Sequence, residues 1–204
     1  MDTSSLFAIG LFAFVMSATP GPNNIMLLAS GAQYGFVRTI PHLFGIVTGV
    51  ACMNASVLLG LGVLFELYPT LYDVLKIAGS GYLLWLAWKI ANASTEDESL
   101  NNESDHTEGA PMFMMSAALF QFVNPKAWTM SLSSMSTFTL AGSLYLESGA
   151  WIILAYIVMG FIAISLWAGL GVAIRQWLTT TSRRRYFNWF MGLMTAATLI
   201  LIFA

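Results

Sequence analysis

Between Thr3 and Val37 the chain carries no charged side chain, and further charge-free runs occupy 39–65, 77–88, 109–125, 127–146, 148–174 and 186–204. A helix needs about 20 apolar residues to cross the hydrocarbon core of a bilayer, and several of these runs are longer. A soluble helix of this length would return a polar residue to the same face every three or four positions. These runs do not. With 57% hydrophobic residues and only 8 basic and 10 acidic ones in 204, the chain reads as an all-α, polytopic membrane protein.

Six spans are expected, at 5–32, 41–65, 70–91, 111–140, 149–174 and 186–203. The basic residues are segregated among their connections. Arg38, Lys89, Arg175, Arg183, Arg184 and Arg185 fall in the odd-numbered connections, whereas the even-numbered connections and both termini have only Lys76, just inside the third span. By the positive-inside rule the odd loops are cytoplasmic and both termini lie outside, in the periplasm of a bacterial inner-membrane protein. Trp85, Trp88 and Lys89 close the third span, and Arg175 and Trp177 close the fifth, as interfacial anchors do.

The stretch 92–110 is polar, acidic and without apolar periodicity. It reads as a solvated cytoplasmic linker, with His106 solvated in it. The sequons at Asn92 and Asn102 have no meaning on that side of the membrane. The linker divides one transmembrane domain into a first three-helix half, 1–91, and a second, 111–204. An odd number of spans per half inserts the second half upside down relative to the first.

Several function classes lack the residues they need. Cys52 is the only cysteine, so an intramembrane oxidoreductase with a cysteine pair is not supported. No metal or cofactor site is expected, and a triplet of arginines at one helix edge does not make a nucleic-acid surface. No basic residue precedes the first apolar run, which is also too long for a cleaved leader. Gly31 and Gly35, like Gly45 and Gly49, have small-xxx-small spacing. Such faces allow close helix packing, either within the chain or in a homo-oligomer.

Two spans contain residues that break helices. The first reads Thr19-Pro20-Gly21-Pro22-Asn23-Asn24 and the fourth reads Gln121-Phe122-Val123-Asn124-Pro125-Lys126. Proline has no N–H, so Pro20, Pro22 and Pro125 leave the carbonyls of Met16, Ala18 and Gln121 without their helical donors. In hydrocarbon such breaks persist only when buried in protein or facing a wet cavity. Asn23, Asn24, Gln121 and Asn124 are amides close enough in sequence to repair the backbone. Gly21-Pro22 and Asn124-Pro125 also read as helix starts, with proline at the first helical position. Both new N-termini then lie near the bilayer midplane with their positive partial charge.

Lys126 adds a full charge at that level, at a cost of about 2.5–3.5 kcal/mol on insertion scales. Paired broken segments at matching places in inverted halves point to a transport site. Taken singly, a proline is most simply a kink and a lysine could snorkel to an interface. Asn54 is the other intramembrane polar residue, most simply a helix–helix hydrogen bond. Glu66 and Asp73 sit at span edges, so no carboxylate lies inside the membrane.

At Pro20-Gly21-Pro22 and Asn124-Pro125-Lys126, with a Leu83–Ile90 segment of similar character, the chain resembles the LysE/RhtB family of bacterial amino-acid exporters. The resemblance covers essentially the whole chain, and its P-G-P-N-N-I form is closest to the neutral branch that exports cysteine and O-acetylserine. It implies a secondary transporter, not an enzyme, driving a small neutral amino acid outward at the expense of the proton gradient. In that reading Lys126 and the two helix N-termini bind the substrate carboxylate. Asn23, Asn24, Asn124 and Gln121 hold the amine or the unwound backbone, and Pro20, Gly21, Pro22 and Pro125 shape the site. The competing reading is a scaffold subunit, whose contact surfaces would be the glycine faces and the acidic linker.

Overall fold

Proline and glycine set the ends of most helices. The computed structural model describes residues 1–93 and 111–203, and among these every regular element is helical. Helix α1 (Thr3–Ala18) stops before Thr19-Pro20-Gly21, and α2 (Pro22–Tyr34) restarts at the proline, bent by 64° from α1. Gly35, at φ 84, makes a sharp turn that a side chain would strain, and α3 (Phe36–Ser56) follows directly. After a π-turn at Val57–Leu61 come α4 (Gly62–Leu67) and α5 (Pro69–Ala91). The second break separates α6 (Met114–Val123) from α7 (Pro125–Phe138) at Asn124. The chain continues through α8 (Tyr145–Ala155), a π-turn at Tyr156–Gly160, α9 (Phe161–Arg175) and α10 (Thr181–Phe203).

The stretches expected to span are helical apart from 19–21, 111–113, 124 and 139–140, but length and apolarity mark fewer crossings than six. The continuous helical stretches 36–61 and 142–175 qualify, and α1 with α2 forms a third when the bent pair is taken as one span. Outward faces carry bare apolar side chains, among them Phe7, Leu59, Leu84, Leu119, Leu166 and Leu193, each more than half exposed. In water such a surface would aggregate, whereas against lipid it is the expected exterior. Trp85, Trp88 and Trp177 also point outward, and the Lys89 ammonium sits 5.4 Å from the Trp85 ring centre. Of the acidic linker, only Asn92 and Ala93 fall within the described residues; His106, Asn102 and the boundary between the two halves lie outside them.

The glycine faces are used inside the chain. A Cβ on Gly31 would strike the Ala168 carbonyl, and one on Gly171 would strike that of Leu28, so α2 and α9 touch backbone to backbone. Gly45 and Gly49 seat α3 on Met114, Ala117, Ala118 and Gln121 of α6, and Gly192 seats α10 on Ala87 and Ala91 of α5. Lipid supplies no hydrophobic force between helices, so this closeness supplies the van der Waals contact that holds them. Around it packs a core of Ile9, Leu27, Leu43, Met53, Trp128 and Ile152, with residues from both halves of the chain.

Asp2 fixes the start of α1 by accepting a 2.9 Å hydrogen bond from the Ser5 N–H. Hydrogen bonds from the Ser5 hydroxyl and then from the Ser5 backbone N–H hold its carboxyl below the usual range.

Gly171→Val is expected to destabilise the protein by about 1–3 kcal/mol, the range for overpacking. Gly169, two residues away, has open space beyond its missing Cβ, so Gly169→Ala should leave stability equal or slightly raised. Thermal unfolding in detergent, followed by monodisperse elution, separates the two.

Candidate substrate site

The first break leaves the carbonyls from Met16 to Gly21 outside the regular helical ladder, and each one has found a donor. The Thr19 hydroxyl donates to Met16 O at 2.8 Å. Asn24, 2% exposed, uses both N–H groups of its amide, on Ser17 O at 2.8 Å and Thr19 O at 2.7 Å. The Trp167 indole N–H reaches across from α9 to Ala18 O at 3.0 Å. Lys126, from the second break, donates to Thr19 O at 2.5 Å and to Pro20 O at 3.3 Å. Gly21 O accepts from the backbone of Asn24 and Ile25, which starts α2.

The second break is repaired by the same kinds of group. Gln121 O accepts from Asn124 N at 3.1 Å, and Phe122 O from the Trp128 indole at 2.8 Å. The Asn124 side-chain oxygen caps α7 by accepting from Lys126 N at 3.1 Å. The two breaks also join through their amides. Asn23 donates to Gln121 Oε1 at 2.8 Å, and Gln121 donates back to Asn23 Oδ1 at 3.2 Å and to Ala117 O at 2.9 Å. Gln121 and Asn124 are buried to 0% and 1% exposure.

Gly21 is required by this approach rather than by its own backbone, which is extended (φ −179, ψ 176). A Cβ there would lie 2.7 Å from Lys126 Cδ and 3.0 Å from its ammonium nitrogen. No ion pair ties Lys126 to a described carboxylate. The amine end of a chain of methylenes is thus laid across the unwound turn, half-buried, with backbone carbonyls as its acceptors.

Beside it lies a cavity of about 30 Å3 lined by Ser17, Gly21, Asn23, Asn24, Asn124 and Lys126, with Ile46, Val50, Ala127, Met130 and Ile164 as its apolar wall. That volume suits one or two water molecules and is too small for an amino acid. A larger cavity of about 480 Å3 lies between α1 and α8 and is lined by apolar residues such as Phe7, Leu11, Trp151 and Val158. It opens on the outward apolar surface and has none of this chemistry.

All nine residues singled out in the sequence therefore gather at one place, in different ways. Gly21, Asn23, Asn24, Asn124 and Lys126 line the cavity. Gln121 meets it through Asn23, and Pro20 through its carbonyl on Lys126. Pro22 and Pro125 start α2 and α7 and do not line it. The two N-termini are unequal, because Asn124 caps α7 while α2 has no side-chain cap.

The sequence reading missed Trp167, Trp128 and Thr19 as donors, and the α3 wall. The signal available for the tryptophans was their position, well inside apolar runs instead of at span ends where anchors belong. Asn54, expected as a helix–helix hydrogen bond, is fully buried with neither amide atom partnered in the chain.

A family model described as LysE type translocator matches residues 14–202, which include both breaks. The chain belongs to the LysE type translocator family. This LysE-type chain is also 30% identical over 165 residues to the cysteine/O-acetylserine efflux proteins of Escherichia coli (strain K12), Escherichia coli O6:H1 (strain CFT073) and Shigella sonnei (strain Ss046). In each case the match covers 79% of this chain and 78% of the relative. No solved structure matches it. Translocator membership and helices able to cross a bilayer place the chain in a membrane, within a family of transporters.

Trp167→Phe keeps an aromatic ring, though a smaller one, and removes the one donor to Ala18 O among the described residues. Leaving that carbonyl unpaired should cost about 1–3 kcal/mol, read as a lowered unfolding temperature, while Trp177→Phe at the exposed end of the same segment should cost little.

Proposed function

We propose that this LysE-type chain exports a small neutral amino acid or amino-acid derivative across the bacterial inner membrane by secondary transport. Cysteine and O-acetylserine are the first candidates, since the relatives carry those substrates in their names. The observation that carries the reading is Lys126, a cation held inside an apolar protein by two backbone carbonyls and by no carboxylate among the described residues. Carbonyl dipoles are weaker partners for an ammonium than an anion is. A substrate carboxylate arriving there gains a charge-assisted bond that the resting protein does not supply.

The steps follow from the geometry. The carboxylate takes the Lys126 ammonium and the uncapped N-terminus of α2, where N–H groups and the helix dipole favour an anion. Thr19 O keeps its bond from Asn24, and the ammonium, with three N–H donors, keeps Pro20 O while it turns to the carboxylate. The amide oxygens of Asn23 and Gln121, each of which otherwise accepts from the other's amide N–H, accept from the substrate ammonium. Ile46, Val50, Met130 and Ile164 offer a short side chain an apolar wall. None of the lining groups is an acid, so a second positive charge, as on lysine or arginine, is unmatched.

The cavity is too small for this in its present form, so binding must widen it. The unwound turns, which have no continuous helical ladder to break, are the natural hinges. In the full arrangement six spans form two inverted halves, 1–91 and 111–204, which rock about the site, with both termini periplasmic and the acidic linker cytoplasmic. The proton gradient supplies the driving force.

Proteoliposomes loaded with a panel of radiolabelled amino acids test this directly. A neutral amino acid or derivative should leave faster when a pH gradient is imposed, and movement of none would sink the transport reading. Lys126→Met should lower that efflux by about two orders of magnitude, the scale of losing a buried charged partner, while the protein remains inserted. Unchanged efflux or function in the variant would favour a scaffold role.

A further inference from the structure

Proton-driven export needs a group that carries the proton, and no acid lines the site. Helix α3 holds a candidate that no sequence motif marks. His42 is 2% exposed, and neither ring nitrogen has a hydrogen-bond partner in the chain. A buried imidazole is normally tied down by at least one partner, and an ionisable side chain left loose inside a membrane protein is a functional candidate by default.

Its place on α3 adds the second observation. Ile46 and Val50, one and two turns further along the same face, form the wall of the cavity beside Lys126. Gly49, also two turns on, is pressed against the Gln121 side chain, where a Cβ would lie 2.7 Å from Cγ. One turn in the other direction, Thr39 shares a 2.8 Å hydrogen bond with Ser30 and is fully buried. His42 therefore lies between the Gly35 end of α3, assigned above to the cytoplasm, and the place where the substrate amine is proposed to sit.

The other titratable or charged groups on α3 and on elements packed against it are engaged elsewhere or distant along the helix. Lys126 on α7 holds the carbonyls of Thr19 and Pro20. Tyr156 in the second π-turn donates to Met130 O, and Tyr145 on α8 to Leu58 O. Glu147 on α8 pairs with the N-terminal amine at 3.7 Å. Arg175 on α9 lies beside Gly35, while Arg38 and Cys52 are exposed on α3 itself. Tyr34 stands at the end of α2, and none of these bonds to His42.

We propose that His42 is the proton carrier of export, and that its proton and the substrate ammonium exclude each other from the α3 side of the cavity. The inference rests on the transport reading above. Two positive charges a few turns apart repel strongly where water is absent. Occupancy by one weakens binding of the other, and the coupling is reciprocal. The substrate leaves outward, a proton from outside then settles on the imidazole, and it is released to the cytoplasm before the next substrate binds. No bond other than N–H is made or broken.

The test compares wild type with His42→Gln in proteoliposomes holding a pH-sensitive dye. Three rates are read: export under a pH gradient, proton movement on adding substrate, and counterflow exchange at equal pH, which needs no net proton transfer. In His42→Gln the first two should fall by at least about tenfold, within the usual range of coupling, while counterflow stays near wild type. Persisting gradient-driven export would overturn the proposal, as would a parallel loss of all three, the mark of a structural role. Wild type that exports without moving protons overturns it too, whereas wild type that moves no amino acid defeats the transport reading instead. Should His42→Gln not fold, carbethoxylation of the His106→Gln protein, whose only histidine is His42, must give the same split or the proposal falls.

Discussion

A carbonyl in hydrocarbon has no water to turn to, and leaving one unpaired costs several kcal/mol. The turn from Met16 to Gly21 gathers such carbonyls in the middle of an apolar run, and the arrangement around it is largely the arrangement of their donors. Trp167 comes from α9, Lys126 from α7 and Asn24 from α2 itself. Two of these three cross between segments far apart in sequence. The close packing of α2 on α9 through Gly31 and Gly171 brings the indole within reach, so helix packing and backbone repair support each other.

The same repair creates the chemistry. Thr19 O is held by both Asn24 and Lys126, so one of its donors can leave without orphaning it. Lys126 is the donor that a carboxylate can recruit, because it is charged and has no anion of its own among the described residues. Gly21 keeps the lysine close by leaving out a side chain. The two breaks are alike in composition and unlike in use: α7 is capped from within by Asn124, and α2 is left with its N–H groups unclaimed by a side chain. A site built from two equal N-termini, as the sequence suggested, becomes one N-terminus and one ammonium.

Much of this was legible in the sequence, for definite reasons. Charge-free runs are long-range features and survive errors of a few residues, so the helical stretches fell where expected. Pro20, Pro22 and Pro125 lack an N–H wherever they sit, so the stranded carbonyls of Met16, Ala18 and Gln121 followed from covalent structure alone. Their donors did not follow, because Trp167 and Trp128 act across space, and a position well inside an apolar run sets them apart from anchors without naming the carbonyl each one reaches. The use of Gly45 and Gly49 was open for the same reason: spacing shows that a close approach is possible, and only the fold shows that α6 makes it. His42 escaped notice because a single histidine has no pattern, and what marks it is burial without a partner.

The central claim is that a positive charge at position 126, laid across the first break, is what export depends on. Chemical replacement of that charge tests it most directly. In a Cys52→Ala background, Lys126→Cys should export at only a small fraction of the wild-type rate. Aminoethylation of the new cysteine, verified by mass, rebuilds an ammonium at nearly the length of lysine and should restore export, whereas a neutral alkyl group of similar size should not. Equal recovery with the neutral group, or none with the ammonium once modification is complete, would contradict the account.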